Sequence, residues 1–523
     1  MRSLTTRLLI AGGLVAALVL GLVAGTGDDS DNGSRKSVAV ASASASVRDR
    51  PHVVLLVLDE FPGDSLLDRS GGIDSGRFPN FARLAGDSTW FQNAAASYDS
   101  TTKAVPLILD GMRPVPGTAP EVRDHPRSLF TALAAKGYRV KASEEATALC
   151  PPTVCPGARK RRPAIIPRLN GGRPERFMRF VRGIGASSRP TLWMKHALLP
   201  HGPYLYLPSG ARTRDGARDL VPNMNGLRGF GHPYLTRHNE QRYLLQLGFV
   251  DRLLGRLLRQ LRRTGIYDDT MVVVTADHGF AWQVGVDTRR SVRDDNVEEL
   301  TPVPLLVKAP GQRRARVNDA YAQTLDVTPT IADVLNVPLG YRTDGRSAFS
   351  PAVRRRRGVS VTTRDFSAVV RVSGRSWERR RRAVVKRRLQ ELGSENWASL
   401  YTGIGPHRTL LGRETTAMAV ASAGAVSASI AAGGSFGRVR RDSGLVPAQV
   451  AGSLRGGSPG EERDLAVAVN GRIEAVGRSF HLTGDATEYF AINVPEAALR
   501  EGRNRIEVFE VTGSGKLRRL ARS

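Results

Sequence analysis

The chain has 523 residues, 41% of them hydrophobic and 24% charged, with 54 Gly and 30 Pro, which excludes a disordered, fibrous or low-complexity chain and allows two or three domains around a large core. With 77 Lys and Arg against 49 Asp and Glu, the formal net charge is +28, a field that favours anionic partners: nucleic acid, lipid headgroups or anionic polymers. Two Cys in the whole chain exclude a disulfide scaffold and a Cys-rich zinc module.

Residues 8–25 form an uninterrupted apolar run of 18 residues, preceded by Arg2 and Arg7 and followed by Asp28, Asp29 and Asp31. That length spans a bilayer, and the flanking charges leave the N-terminus in the cytoplasm and export the rest. We expect a signal-anchor over 1–25. A cleaved signal peptide is the alternative, because Ala-x-Ala steps follow in 39–45. Either way the basic surface faces outward, so nucleic acid is not an expected partner. Residues 26–50, rich in Ser, Ala, Gly and Asp, read as a flexible linker.

The folded body begins near Pro51. Residues 52–58 are a near-continuous Val/Leu run of strand length, and similar runs recur at 191–198, 271–276 and 303–307, the pattern of strands buried on both faces. Between them, Tyr243, Leu247, Val250, Leu254, Leu257 and Leu261 are spaced as one face of a helix. The alternation predicts an α/β domain over 51–351, with a mostly parallel central sheet flanked by helices and its site beyond the carboxyl ends of the strands. Cys150 and Cys155, in Cys-Pro-Pro-Thr-Val-Cys, lie in an oxidising space and are expected to close a small disulfide loop; a metal pair is the alternative, without a nearby third ligand.

An Arg-rich connecting segment over 352–412 holds the runs 354–357 and 379–382. These read as solvated faces, with contact to anionic lipid as the lesser alternative. From 413 to 523 Gly, Ala, Ser and Val dominate, Asn470-Gly471 signals a hairpin, and further strands are expected at 480–482, 489–494 and 505–511. We expect a C-terminal β-rich domain, built as a sandwich.

Four segments could carry chemistry. Asp59 and Glu60 end the first strand and Asp277-His278 end the strand at 271–276, so both pairs fall at one sheet edge, where a carboxylate and a carboxylate–imidazole pair could hold a divalent cation. Gly279 would let the chain turn there. For either pair alone, helix capping by the acid is the simpler role. Thr101 and Thr102, before the apolar stretch 104–109, would sit at a helix N-terminus that attracts an anion; a cation-bound Thr hydroxyl there could act as nucleophile, and N-capping by Ser100 or Thr101 is compatible with that. His196 and His201, two of nine His, leave a strand in His196-Ala-Leu-Leu-Pro-His201-Gly-Pro203 and could protonate a leaving group or grip an anionic oxygen.

In this order the segments resemble the sulfatase-like branch of the alkaline phosphatase superfamily: His52-Val-Val-Leu-Leu-Val-Leu-Asp59, Phe78-Pro-Asn-Phe-Ala-Arg-Leu84, the Thr101 segment ending in Leu109-Asp-Gly111, His196 to Pro203, Val272-Val-Val-Thr-Ala-Asp277-His278-Gly279, Thr324-Leu-Asp326-Val-Thr-Pro329-Thr330, and the turn Asp344-Gly345-Arg346-Ser347. The resemblance implies one divalent ion (Zn, Mn, Ca or Mg) on Asp59, Thr101, Asp277 and His278, Thr101 as nucleophile, substrate contact by His196 and His201, and His201 in leaving-group catalysis. Cys-x-Pro-Ser-Arg is absent, so the formylglycine of true sulfatases cannot form at Thr101, and the likeness is nearer to phosphoethanolamine or phosphoglycerol transferases. Glu60 stands where many sulfatases have a second Asp, and the later His of a second metal is missing. The expectation is an exported, membrane-anchored hydrolase or transferase of phosphate, less readily sulfate, esters on anionic lipid or cell-envelope polymer. The alternative is an inactive relative that binds or scaffolds the envelope.

Overall fold

In the computed structural model, which describes residues 50–522 apart from 159–160, 217, 226–228, 287–288, 403 and 514, seven strands form the central sheet. They are β1 (Val53–Asp59), β2 (Thr89–Phe91), β3 (Arg139–Ser143), β4 (Thr191–Pro200), β5 (Met271–Ala276), β6 (Leu305–Lys308) and β7 (Arg316–Asn318), in the order β3-β4-β1-β5-β6-β2-β7. The apolar runs of β1, β4 and β5 fill its centre, where every residue is buried. β3, β4, β1 and β5 are mutually parallel as expected, but β6 runs antiparallel to both β5 and β2, so the sheet is mixed. The parallel half puts the carboxyl ends of β1, β4 and β5 side by side.

The helices that matter most are α1 (Pro79–Gly86), α2 (Thr101–Asp110), α3 (Pro233–Arg263) and α4 (Gly374–Leu392). α3 is longer than its apolar periodicity indicates, because its first turns bury the polar residues His238, Asn239, Gln241 and Arg242, His238 and Gln241 against Asn493 of the C-terminal region and Arg242 against the carbonyls of Met224 and Tyr204. Gly255 on α3 permits close approach to α1: a Cβ there would lie 2.4 Å from Asn80 Oδ1, and Asp251 beside it accepts the N–H groups of Asn80 and Phe81 at 2.9 and 2.8 Å. Cys150 and Cys155 form a disulfide.

The segment expected as a solvated connection packs back onto the α/β domain. On α4, Arg381 is buried with Asp64 and Asn93 as partners, and Arg388 donates to the carbonyls of Asp64 and Leu67. Trp377, one turn before Arg381, is fully buried and donates to Thr301 Oγ1 at 3.0 Å. Arg379 and Arg382 on the other side are exposed, so the solvated-face reading holds for only part of the run.

After the antiparallel pair β8 (Gly358–Thr362) and β9 (Val369–Ser373), the C-terminal strands are β10 (Val420–Ala421), β11 (Ser427–Ile430), β12 (Gln449–Arg455), β13 (Asp464–Val469), β14 (Arg472–His481), β15 (Glu488–Asn493), β16 (Ile506–Thr512), β17 (Lys516–Arg519) and β18 (Ala521–Arg522). Asn470 and Gly471, at φ 55° and 94°, make the hairpin between β13 and β14. The expected sandwich is instead one nine-stranded sheet, β10-β17-β16-β13-β14-β15-β12-β11-β18. Only Leu520 separates β17, the second strand of this order, from β18 at its far end. Alternation along β13 sends Leu465, Val467 and Val469 to the main core and Ala466 and Ala468 to a second cluster with Phe509 and Leu517.

Among the described residues no helix is long and apolar enough to cross a membrane. The expected span at 8–25 and the linker, except for Arg50, lie outside the described residues.

His238 gives this architecture a pH dependence. It is fully buried, its Nε2 has no hydrogen-bond partner, and burial first, then Arg242 and Arg214, hold its pKa well below 6.5. The native ring stays neutral while the unfolded chain takes up a proton below about pH 6.5, so stability is complete above that pH and falls as pH drops through it. Urea unfolding of His238→Gln should show a shallower loss between pH 6.5 and 5 than wild type, by about 1 kcal/mol; an unchanged slope would remove His238 from the account.

Candidate active site

The carboxyl ends of β1, β4 and β5 bring Asp59, His196 and Asp277 together, with one ligand atom from each within 4.8 Å of the others and all three buried. α2 starts beside them. Ser100 is its N-cap residue, without a side-chain cap bond, and Thr101 opens the first turn with its Oγ1 3.4 Å from Asp59 Oδ1 and 3.3 Å from His278 Nε2. These are long for hydroxyl hydrogen bonds, as is common before substrate tightens a site.

The local chain conformation explains the placement. Glu60 adopts φ 56°, a left-handed turn at the strand end, and its N–H points to Asp277 Oδ1 at 3.2 Å, as does that of His278 at 2.7 Å. Gly279 is needed for space rather than for unusual dihedrals: a Cβ there would lie 2.9 Å from Leu300 O. The other motifs hold the C-terminal end of α2, which Gly111 caps. Asp344 and Gly345 donate their N–H groups to Gly111 O, and Asp326 accepts from Arg346 N at 2.9 Å.

The donor set suits a divalent cation. Asp277 Oδ2 and both ring nitrogens of His196 are buried without a hydrogen-bond partner among the described residues, a costly state unless something else coordinates them. Burial, then the charges of Asp277 and Glu60, push the Asp59 carboxyl well above its ordinary range, and burial lowers the pKa of His196 to about 4, leaving a neutral ring with a free lone pair. Two buried carboxylates and one neutral imidazole are hard and borderline ligands of the type Zn or Mn takes.

Two roles differ from those the motifs imply. His196 stands beside Asp59 and Asp277 in the candidate ligand cluster, whereas His278 borders it, with Nε2 3.6 Å from Asp277 Oδ2. His278 Nδ1 donates to Gly279 O at 2.7 Å, so in the neutral ring Nε2 is a lone-pair acceptor aimed at the Thr101 hydroxyl. His201 has both nitrogens committed: Nδ1 donates to Gly202 O at 2.5 Å, and Nε2 is 2.5 Å from Arg290 Nη2. A guanidinium only donates, so Nε2 accepts and has no proton for a leaving group. Burial, opposed by Glu60 and aided by Arg290, lowers its pKa to about 3. His201 therefore positions Arg290.

Arg289, Arg290 and Glu60 were not legible as a unit. Glu60 is bound by Arg289 Nη2 at 2.5 Å and by Arg290 Nε. Burial alone would raise its pKa, but these two cations outweigh it and hold the carboxyl well below the ordinary range. The position that many sulfatases fill with a second Asp is thus neutralised, and a guanidinium faces the site. Asp99, two residues before Thr101, accepts Val292 N at 3.0 Å, which ties the Arg290 loop to the start of α2.

The class this defines is that of hydrolytic enzymes built on a parallel strand edge with carboxylate and imidazole ligands and a helix-borne hydroxyl. The sulfatase family profile matches residues 51–337, and the chain belongs to that family, within the alkaline phosphatase superfamily. It is 35% identical over 94 residues to human N-sulphoglucosamine sulphohydrolase, covering 18% of this chain and 17% of that one. It is 34% identical over 100 residues to the multifunctional alkaline phosphatase superfamily protein PehA of Trinickia caryophylli, covering 19% of each. In these alignments the chain spans less than a fifth of either relative. The crystal structure of the phosphonate monoester hydrolase of Agrobacterium radiobacter is 18% identical, with a TM-score of 0.41 over 61% of this chain and 81% of that one.

Proposed function

We propose that this protein is a metal-dependent, membrane-anchored and extracytoplasmic hydrolase or transferase of phosphate esters, sulfate esters being poorer substrates, with Thr101 as nucleophile. The observation that carries the reading is Thr101 Oγ1 at the first turn of α2, 3.3 Å from the acceptor nitrogen of His278 and beside the Asp59–His196–Asp277 cluster. When bound there, a divalent cation supplies charge neutralisation for the anionic ester and for the nucleophile oxygen. Asp59, Asp277 and His196 would hold it. Thr101 Oγ1 forms the new bond to phosphorus as its proton passes to His278 Nε2, and the bond to the ester oxygen breaks on the opposite side. Free N–H groups at the start of α2 and the Arg290 guanidinium face the charge that collects on the equatorial oxygens. Water or a second alcohol then displaces Thr101.

Phosphate is favoured because the residue at the nucleophile position cannot become formylglycine. Anionic lipid or envelope polymer as substrate is supported by the basic chain and by the apolar run at 8–25. The test is a panel of aryl phosphomonoester, phosphodiester and sulfate ester with added Zn, Mn, Mg or Ca. Phosphate-ester turnover that a chelator abolishes is the expected result. No turnover of any ester, together with an unfolding temperature indifferent to chelator, would overturn the reading in favour of an envelope-binding scaffold.

A further inference from the structure

β3 pairs with β4 and, among the described residues, with no other strand. Along its free side runs a groove of about 860 Å³, and Arg139, Lys141, Arg168, Arg176, Arg179 and Arg189 line it. Arg176 is tied to Glu145 at 2.7 Å. Glu144 also borders the groove, but it accepts from Thr147 Oγ1 and from the N–H groups of Leu149 and Cys150, which turns its charge into its own loop. Arg139, Lys141, Arg179 and Arg189 are exposed and, among the described residues, form no ion pair. Lys141 Nζ and Arg189 Nη2 each donate to a backbone carbonyl, that of Gly183 at 3.3 Å and that of Gly137 at 3.4 Å, but neither bond neutralises a charge, and like charges collected around a concavity repel one another.

We propose that this groove binds a linear polymer bearing phosphate or sulfate groups, an extension of the substrate beyond the reacting ester; that second part rests on the function proposed above. Five of the six cations are Arg, whose planar forks match the oxygens of phosphate and sulfate. The groove is concave, which a flat bilayer cannot enter. Strand addition by an acidic peptide is obstructed because Cys155 Sγ lies 3.8 Å from Val140 O, over the free edge of β3. Its position also fits. β3 and β4 run parallel, with Ser143 opposite Lys195, so the groove ends one strand away from His196, on the edge of the sheet that carries the candidate active site.

The test measures binding of inorganic polyphosphate and of dextran sulfate to the full chain, with uncharged dextran and polyglutamate as controls, by fluorescence anisotropy at 0.15 M salt. Arg139→Ser/Arg179→Ser/Arg189→Ser removes three exposed cations from the groove, and Arg354→Ser/Arg355→Ser/Arg357→Ser removes three exposed cations elsewhere. The groove variant should bind polyphosphate at least about tenfold more weakly with a reduced salt dependence, while the control variant and the turnover of a small aryl phosphate stay near wild type. Equal losses in the two variants, or polyglutamate binding as tightly as polyphosphate, would overturn the proposal. If the wild type binds polyphosphate through the groove but turns over no ester, the function proposed above fails and the binding site stands.

Discussion

Thr101→Ala should lower kcat for the best ester by about 10³–10⁴-fold with little change in KM, equivalent to about 4–5.5 kcal/mol of transition-state stabilisation. The loss falls on kcat because the backbone that positions α2 remains, while the attacking oxygen is removed together with one half-buried γ-methyl. Folding should be unaffected. Thr101 is half-buried, its hydroxyl makes only the two long contacts to Asp59 and His278 among the described residues, and Ser100 is the N-cap residue. Thr101→Ser keeps the oxygen and should retain activity within about tenfold of wild type. Acid quench of the wild type during turnover should leave phosphate on the peptide containing Thr101, and the alanine variant should leave none. Full activity in Thr101→Ala, or the label on another residue, would end the assignment of the nucleophile.

The parts of this site that could be read from the chain were those set by local patterning. Continuous Val/Leu runs predict strands buried on both faces, and an acid directly after such a run must fall at the strand end, which fixed Asp59 and Asp277 to one edge. Direction was another matter: the four residues of β6 carry no signal that distinguishes parallel from antiparallel pairing, and β6 reverses. The start of α3 was hidden because its polar residues are buried by parts of the chain distant in sequence, as when Gln241 Oε1 accepts from Asn493 Nδ2 on β15 at 2.5 Å. The exchange of parts between His196 and His278 depends on the directions of two side chains on adjacent strands, which spacing does not encode. Arg289 and Arg290 gave no signal in a chain so rich in Arg; Glu60 beside Asp59 was the one hint that a cation would be needed nearby. On α4, Trp377, Arg381 and Arg388 lie at spacings of four and seven, one helix face, so their burial was legible in principle.

The second large effect is a trade between stability and activity at Asp277. In the metal-free chain its Oδ1 accepts two backbone N–H groups, while Oδ2 has no partner and lies near Asp59 and His196. Asp277→Asn retains the oxygen that accepts those two bonds and places an NH₂ donor among acceptors, so one buried negative charge disappears and the carboxylate of Asp59 gains a partner. Replacing an uncompensated buried charge by a neutral isostere should stabilise the metal-free protein by about 1–3 kcal/mol in urea unfolding. The same change removes an anionic ligand, so the stabilisation that the wild type gains on adding Zn or Mn should be lost in the variant, and ester turnover should fall by about 10³-fold or more. These shifts are opposite in sign, which a merely structural aspartate would not produce: an Asp that only anchors the turn at Glu60 would leave Asn neutral in both measurements. A variant less stable than wild type in chelator, or one stabilised by the metal as much as wild type, would show that Asp277 does not carry the ion and that the buried carboxylates meet for another reason.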